Sequence, residues 1–254
     1  MSTYRFPLPL LLQIGWAVAL GRPRSLGADA AGGLRGAQPP PRALDTEHLP
    51  SDGPYVVVGN HYQRDGLWAG WGAMVVSAAV RDVAGGRREL HWLMTTELME
   101  LRLGPLNVPR PWIRAVFERF ARVYGFGLVS PREAGLVGGA SGLRIAARYV
   151  AAGDPVGVLP EGTASVALCE ARPGVGAFLG WLTRDEVPLV PVGIYEEGDT
   201  LVARFGPPFR LPRAEGQKAT RDATLREAVM VQIARLLPPA LRGAYASAAG
   251  PVGS

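Results

Sequence analysis

Residues 155–162 read PVGVLPEG, an unbroken apolar run that ends in a proline, a glutamate and a glycine. Residues 189–194 (LVPVGI) form a second such run, and residues 55–58 (YVVV) form a third, which ends at Gly59 and Asn60. Short apolar runs without alternation are typical of strands that are buried on both faces of a parallel sheet. These three runs therefore predict the centre of the fold.

Helical patterns separate the apolar runs along the rest of the chain. The predicted helices cover residues 67–80, 111–124, 141–151 and 175–183, and a last helix begins at a capping box formed by Thr224 and Glu227. Further strands are predicted at residues 90–95, 127–129 and 201–205. Strands that alternate with helices predict an α/β fold with a largely parallel central sheet flanked by helices.

Composition limits the classes of partner. The chain has 254 residues, 48% of them hydrophobic, which suits one α/β domain of ordinary size. A formal net charge of +5 favours an anionic partner such as a nucleic acid, an anionic membrane or a phosphorylated substrate. The sequence contains no recognised nucleic-acid-binding module and no basic strip interleaved with aromatic residues, so we predict no nucleic-acid partner. Cys169 is the single cysteine, which excludes an intrachain disulfide and a thiolate-rich metal site and fits a reducing compartment.

The N-terminus carries an apolar run over residues 6–20, interrupted by Pro7 and Pro9. A membrane-spanning helix needs about 20 residues, so this run is too short to cross a bilayer comfortably. An interfacial anchor, a signal-peptide core and a segment packed on the domain all remain possible, and we favour the membrane-surface anchor. Residues 21–54 are rich in Gly, Pro and Ala, which predicts an extended linker or surface wrap.

The first candidate constellation, Asn60-His61-Tyr62-Gln63-Arg64-Asp65, follows the strand predicted at residues 55–58. Loops after parallel strands are where ligands bind in α/β sheets. A histidine with an aspartate four positions later is a candidate base with an orienting carboxylate. A histidine near an aspartate is also common in sites without catalytic function.

The second candidate constellation, Pro160-Glu161-Gly162-Thr163-Ala164-Ser165, follows the strand predicted at residues 155–159. It offers a carboxylate, backbone N–H groups and hydroxyls that can hold a polyol phosphate. Alone, the segment is better described as a tight turn.

Together and in this order, the two segments resemble those of the lysophosphatidic acid acyltransferase family of phospholipid synthesis. That family has an Asn-His motif closed by an Asp, a later Phe-Pro-Glu-Gly-Thr-Arg-Ser motif and a Val-Pro-hydrophobic-hydrophobic-Pro-Val motif. Residues 187–192 (VPLVPV) resemble the last motif, residues 172–174 (RPG) resemble its basic-Gly lead-in, and residues 206–208 and 237–245 resemble its C-terminal features. The resemblance implies a glycerolipid acyltransferase-like domain over residues 50–246. Residues 1–49 would form the N-terminal apolar, membrane-associating segment and linker, and residues 247–254 a disordered tail.

The resemblance also implies a role for each site residue. His61 would be the general base and Asp65 its orienting partner, while Glu161, Gly162 and Thr163 would bind the glycerol-phosphate part of the acceptor. Arg132 resembles the family's phosphate-binding arginine, and Arg64 is a further candidate phosphate contact. The partners implied are a lysophospholipid acceptor, an acyl-CoA or acyl-carrier-protein co-substrate and the cytoplasmic side of a membrane. The resemblance implies no metal and no bound cofactor.

Three departures from the family pattern keep alternatives open, and one is that Arg132 is the single residue carried over from the family's loosely matched middle motif. Three residues separate His61 from Asp65 where the family has four, so either the turn is tighter or Asp65 is not the functional partner. Ala164 stands where the family has an arginine. Another lysolipid, glycolipid or amino-lipid acceptor is one alternative, and a catalytically silent lipid-binding protein of the same fold is another.

Overall fold

The computed structural model describes residues 4–95, 102–103, 106–107, 110–129, 139–184 and 186–250. Its strands are β1 Arg42–Leu44, β2 Val56–Gly59, β3 His91–Thr95, β4 Arg102–Leu103, β5 Leu106–Asn107, β6 Gly127–Val129, β7 Val156–Val158, β8 Leu189–Glu197 and β9 Thr200–Phe205. Its helices are α1 Leu8–Leu20, α2 Leu26–Leu34, α3 Gly70–Val83, α4 Arg110–Tyr124, α5 Gly139–Ala151, α6 Val175–Leu182 and α7 Lys218–Arg235.

Seven strands form one sheet in the order β1-β9-β8-β2-β7-β3-β6. The pairing is parallel throughout except between β8 and β9, which form an antiparallel hairpin. The predicted α/β fold with a largely parallel sheet is therefore confirmed. The three apolar runs lie side by side at its centre as β8, β2 and β7.

The residues of the central strands alternate between two buried layers. Val56 and Val58 point into a core shared with α6 and α7, whereas Val57 points into a core shared with α3. Because both layers are apolar, each strand residue must be apolar, which is why these strands appear as unbroken runs in the sequence. Burial of β-branched side chains on both faces makes the three strands a rigid support for the loops at their carboxyl ends.

The segment between residues 21 and 54 differs from the extended linker that its composition indicates. Residues 26–34 form α2, which packs along α3, and residues 42–44 form the edge strand β1, parallel to β9. Ser25 caps α2 by accepting a hydrogen bond from the backbone N–H of Ala28 at 2.9 Å. Small residues such as Ala30 suit this segment because α2 packs closely on α3.

Two predictions near the C-terminus also need correction. Helix α7 begins at Lys218 rather than at a Thr224–Glu227 capping box, and Thr224 lies within the helix and donates to the carbonyl of Thr220. Residues 247–250 differ from the predicted disordered tail, because Ala249 is buried against the core. Residues 251–254 lie outside the described residues.

The apolar N-terminal run forms α1, which is packed on the domain along one side only. Tyr4 and Phe6 contact the ring of Trp71, and Ala17 is buried. The opposite side leaves Leu12 and Trp16 about two-thirds exposed, at 66% and 65%. No described helix has both the length and the apolar character needed to span a bilayer.

Candidate functional site

The two candidate segments meet at one edge of the sheet. Strands β2 and β7 are parallel neighbours, so the loops that follow them leave from the same edge. Beyond the strand ends, the two segments of the chain continue to pair. The N–H of Ser165 donates to the carbonyl of His61 at 3.0 Å, and the N–H of Gln63 donates to the carbonyl of Ser165 at 2.9 Å. Residues about a hundred positions apart in the sequence thus form one continuous surface.

The Glu161 carboxylate holds this surface together. Its side chain is buried, with Oε2 accepting the backbone N–H of His61 at 2.6 Å and Oε1 accepting that of Cys169 at 2.7 Å. Burial raises the pKa of Glu161, and the two backbone hydrogen bonds oppose that rise. Both oxygens are thus engaged by the protein, and Glu161 fixes the backbone that carries His61.

The His61 imidazole is partly buried, and its Nδ1 atom has no hydrogen-bond partner among the described residues. Burial lowers the pKa of His61, because the cationic form is poorly solvated there. An imidazole with a lowered pKa is mostly neutral at pH 7, and one nitrogen of a neutral imidazole can accept a proton. This is the protonation state that a general base requires.

Asp65 does not orient His61 in this structure. The backbones of Arg64 and Leu67 exchange two hydrogen bonds, at 3.3 and 2.9 Å, around a two-residue tip formed by Asp65 and Gly66. Gly66 has a φ of +79°, a left-handed value that residues other than glycine rarely adopt and that suits the second central position of a tight turn. Asp65 therefore lies exposed at the tip of the turn and makes no hydrogen bond to His61.

Arg64 is directed towards a different carboxylate. Its Nε and Nη2 atoms donate to the two carboxylate oxygens of Glu196, each at 2.5 Å, and the hydroxyl of Tyr62 donates to the same carboxylate at 3.0 Å. Glu196 lies at the carboxyl end of β8, beside β2. A bidentate pair of this kind is geometrically specific. Arg64 thus anchors the His61 loop to β8, a contact that sequence reasoning missed because Glu196 is 132 residues away.

Gly162 closes a turn over residues 159–162, in which its N–H donates to the carbonyl of Leu159 at 3.1 Å, and Thr163 follows. Gly162 has a φ of +60°, and an added Cβ there would lie 2.6 Å from Nε of Arg172. The Arg172 side chain therefore lies directly on the turn, where its Nη2 atom donates to the Thr163 hydroxyl at 3.2 Å. Arg172 belongs to the RPG segment noted in the sequence, and it brings a cation next to Thr163 where Ala164 supplies none. Arg132, which the sequence predicted together with Arg64 as a phosphate contact, lies outside the described residues.

Helix α6 begins close to this site, but its N-terminus is already occupied. The carboxylate of Asp222 accepts the N–H groups of Gly174 and Ala177, each at 2.8 Å, and Arg226 pairs with it at 3.0 Å. An internal carboxylate thus takes the position at which a helix N-terminus would otherwise attract an anion. Within the described part of the chain, no group of three or more His, Cys, Asp or Glu side chains could hold a metal ion.

Comparison with known proteins found no similar family or curated sequence but found similar solved structures. No protein-family model matches the chain, and no curated protein matches its sequence. Among solved structures, the chain is similar to the crystal structure of the 1-acyl-sn-glycerophosphate (LPA) acyltransferase PlsC from Thermotoga maritima. That match has 16% identity and a TM-score of 0.39 and covers 88% of this chain and 79% of that one.

Proposed function

We propose that the protein transfers a fatty acyl group from acyl-CoA or acyl-carrier protein to the free hydroxyl of 1-acylglycerol-3-phosphate, forming phosphatidic acid. The observation that carries this proposal is the joining of the two motif segments through Glu161, which accepts a hydrogen bond from the backbone of His61. This hydrogen bond supports the proposal because it joins the loop of His61, the candidate base, to the segment around Glu161, which resembles the family's acceptor-binding motif.

The proposed reaction is a direct transfer in which His61 is the general base. Its neutral imidazole takes the proton from the acceptor hydroxyl as the hydroxyl oxygen attacks the thioester carbonyl. A C–O ester bond forms, the C–S bond breaks, and the proton passes from His61 to the departing thiolate. No acyl-enzyme forms, and the reaction requires neither a metal nor a bound cofactor.

A panel of acceptors tests the substrate assignment. Lysophosphatidic acid, lysophosphatidylcholine, monoacylglycerol and a glycolipid are each offered with acyl-CoA and with acyl-carrier protein. We expect lysophosphatidic acid to be the preferred acceptor. Faster transfer to another lipid would support the proposed acyl transfer but contradict lysophosphatidic acid as the acceptor.

A second candidate function is favoured by the surroundings of His61. No carboxylate of the described residues contacts Nδ1, so the imidazolium lacks the partner that stabilises it in a base–carboxylate pair. A catalytically silent protein would bind the lysolipid or the acyl donor at the same surface without turnover. Binding of lysophosphatidic acid with no transfer to any acceptor would favour this function.

Replacement of Asp65 distinguishes the observed geometry from the family pattern. Because Asp65 is exposed and makes no hydrogen bond to His61, we expect Asp65→Ala to keep the transfer rate within about twofold of wild type. Steady-state kcat measures this directly. A loss of a hundredfold or more, on the order expected for removal of a general-base partner, would show that Asp65 reaches His61 during catalysis.

We also propose that the protein binds the cytoplasmic surface of a membrane through α1 and α4. Leu8, Leu12 and Trp16 recur at four-residue intervals on α1 and are each about two-thirds exposed. Helix α4 contacts α1 and exposes Trp112 and Val116, also four residues apart. Exposed aromatic and aliphatic side chains on helices are suited to the headgroup boundary of a bilayer.

The Trp16→Ser variant tests membrane attachment. Removing this indole is expected to weaken partitioning onto vesicles of phosphatidylcholine and phosphatidylglycerol roughly tenfold, because about 1.4 kcal/mol of apolar burial is lost. Cosedimentation measures the change. The matched control is Trp181→Ser, since Trp181 is also exposed but lies on α6, at the opposite face of the sheet. Equal partitioning of the two variants would contradict the proposal.

A further inference from the structure

A cavity of about 240 Å³ opens beside the candidate site, between the carboxyl end of β8 and the segment that follows α7. It is smaller than the roughly 300–1,000 Å³ of pockets that hold whole drug-sized ligands. A space of this size suits one polar group. Its charged lining residues are Glu196, Glu197, Arg204, Arg235 and Arg242.

The two carboxylates of this cavity are already paired with arginines that do not line it. Glu196 is held by Arg64, and Glu197 is held by Arg42. Each carboxylate therefore has a positive partner outside the lining of the cavity. This leaves the cavity more positive than a count of its lining charges suggests.

Two of the three lining arginines have no carboxylate partner among the described residues. Arg204 lies 3.4 Å from Asp45, but its buried Nε atom makes no hydrogen bond. Arg235, on the last turn of α7, donates a hydrogen bond to the side-chain oxygen of Gln232 at 3.4 Å. Arg242 forms no ion pair within the described part of the chain.

Arg242 is the most informative of these residues because it is only 4% exposed. Its Nε and Nη1 atoms donate to the carbonyls of Leu237 and Gly250, at 3.1 and 2.7 Å. Neutral carbonyls satisfy donors but leave a buried positive charge without a counter-charge, which is costly. An anion in the cavity would supply that charge, and guanidinium groups bind phosphate through paired hydrogen bonds.

We propose that this cavity binds the phosphate group of a substrate, with Arg235 and Arg242 as its ligands. The inference rests on the proposed function for the identity of the substrate. Two contacts connect the cavity to the site. Glu196, in the wall, accepts the hydrogen bond of Tyr62, the residue after His61. The N–H of Leu168, next to the Cys169 held by Glu161, donates to the carbonyl of Leu241 at 2.8 Å.

The phosphate has two possible sources, since both proposed substrates carry one. It belongs either to the glycerol-phosphate of the acceptor or to the phosphate-bearing moiety of the acyl donor. The variant Arg235→Glu separates these sources through the two Michaelis constants. A rise in KM for lysophosphatidic acid alone assigns the acceptor, and a rise in KM for acyl-CoA alone assigns the donor.

Direct binding is measured first, because it does not depend on turnover. Inorganic phosphate is titrated into wild type, Arg235→Glu and Arg221→Glu at constant ionic strength, with chloride as the reference anion, and binding is followed by the rise in melting temperature. Arg221 lies on the same helix about 21 Å from Arg235, carries the same charge and does not line the cavity.

We expect Arg235→Glu to weaken phosphate binding, and to raise one of the two KM values, by about tenfold or more, while Arg221→Glu behaves as wild type. Arg242→Gln is a second variant and should give the same loss if it remains folded. Phosphate binding without any acyl transfer would support the cavity as a phosphate site but contradict the proposed function. Equal phosphate binding and equal KM values for Arg235→Glu and Arg221→Glu would overturn the inference.

Discussion

Replacing Glu161 with glutamine is expected to lower the free energy of unfolding by about 2–3 kcal/mol and to slow acyl transfer about a hundredfold. The carboxylate accepts two backbone N–H groups, those of His61 and Cys169. A glutamine of the same shape accepts only one of them and turns its own NH₂ group towards the other. One buried N–H is then left facing a second donor.

Urea unfolding and single-turnover transfer measure the two effects of this substitution. Whether the substitution changes kcat or KM distinguishes a positioning role of Glu161 from a substrate-binding role. If Glu161 holds the backbone of His61, kcat falls; if it contacts the acceptor, the KM for lysophosphatidic acid rises instead. Glu170→Gln is the control, because Glu170 is nearby and exposed and makes no hydrogen bond to a described side chain. If the free energy of unfolding and the kcat of Glu161→Gln equalled those of wild type, the positioning role would be contradicted.

Replacing His61 with glutamine is expected to lower kcat by about 10²–10⁴-fold, the contribution of a general base. Glutamine keeps polar atoms at this position but cannot accept a proton at neutral pH. The loss should appear in kcat with little change in either KM, because the proton is transferred only as the reaction proceeds.

The pH profile gives an independent signature of His61. Burial lowers the pKa of His61, and the base is active only when it is unprotonated. The midpoint of the decline in rate at low pH should therefore lie below 6.5, the ordinary pKa of histidine. His91→Gln is the matched control, because His91 lies at the start of β3, at the opposite edge of the sheet, and stacks on Tyr149. A midpoint above pH 6.5 would contradict the assignment.

The meeting of the two motif segments could be predicted from sequence because it depends on regular structure. Unbroken apolar runs indicate buried parallel strands, and parallel strands bring the loops that follow them to one edge. Strands β2 and β7 needed only to be neighbours for His61 and Glu161 to meet. The sequence did not indicate that Glu161 would bind backbone N–H groups, because that contact depends on the exact path of both loops.

The position of Asp65 could not be predicted from its spacing to His61. An i, i+4 pair lies on one face only if the residues are helical. Here the Asp65-Gly66 dipeptide forms a tight turn instead, and the preceding Arg64 pairs with Glu196 on another strand. The Asp-Gly sequence was the available signal for this turn.

The edge strand β1 and the start of α7 were missed for different reasons. Strand β1 has only three residues, 42–44, and it forms only because it pairs with β9, about 160 residues later in the sequence. Helix α7 begins after Gln217, whose side chain makes no capping hydrogen bond, so the stronger Thr224–Glu227 pattern was misleading. In both cases non-local contacts outweigh the local signal.

Formation of phosphatidic acid is the most direct test of the central claim. A labelled acyl group is offered as acyl-CoA and as acyl-carrier protein, with lysophosphatidic acid in detergent micelles, to wild type, Asp65→Ala and His61→Gln. We predict labelled phosphatidic acid from wild type and from Asp65→Ala at similar rates, and a rate near background from His61→Gln. No product from wild type with either donor, or equal product from wild type and His61→Gln, would contradict the claim.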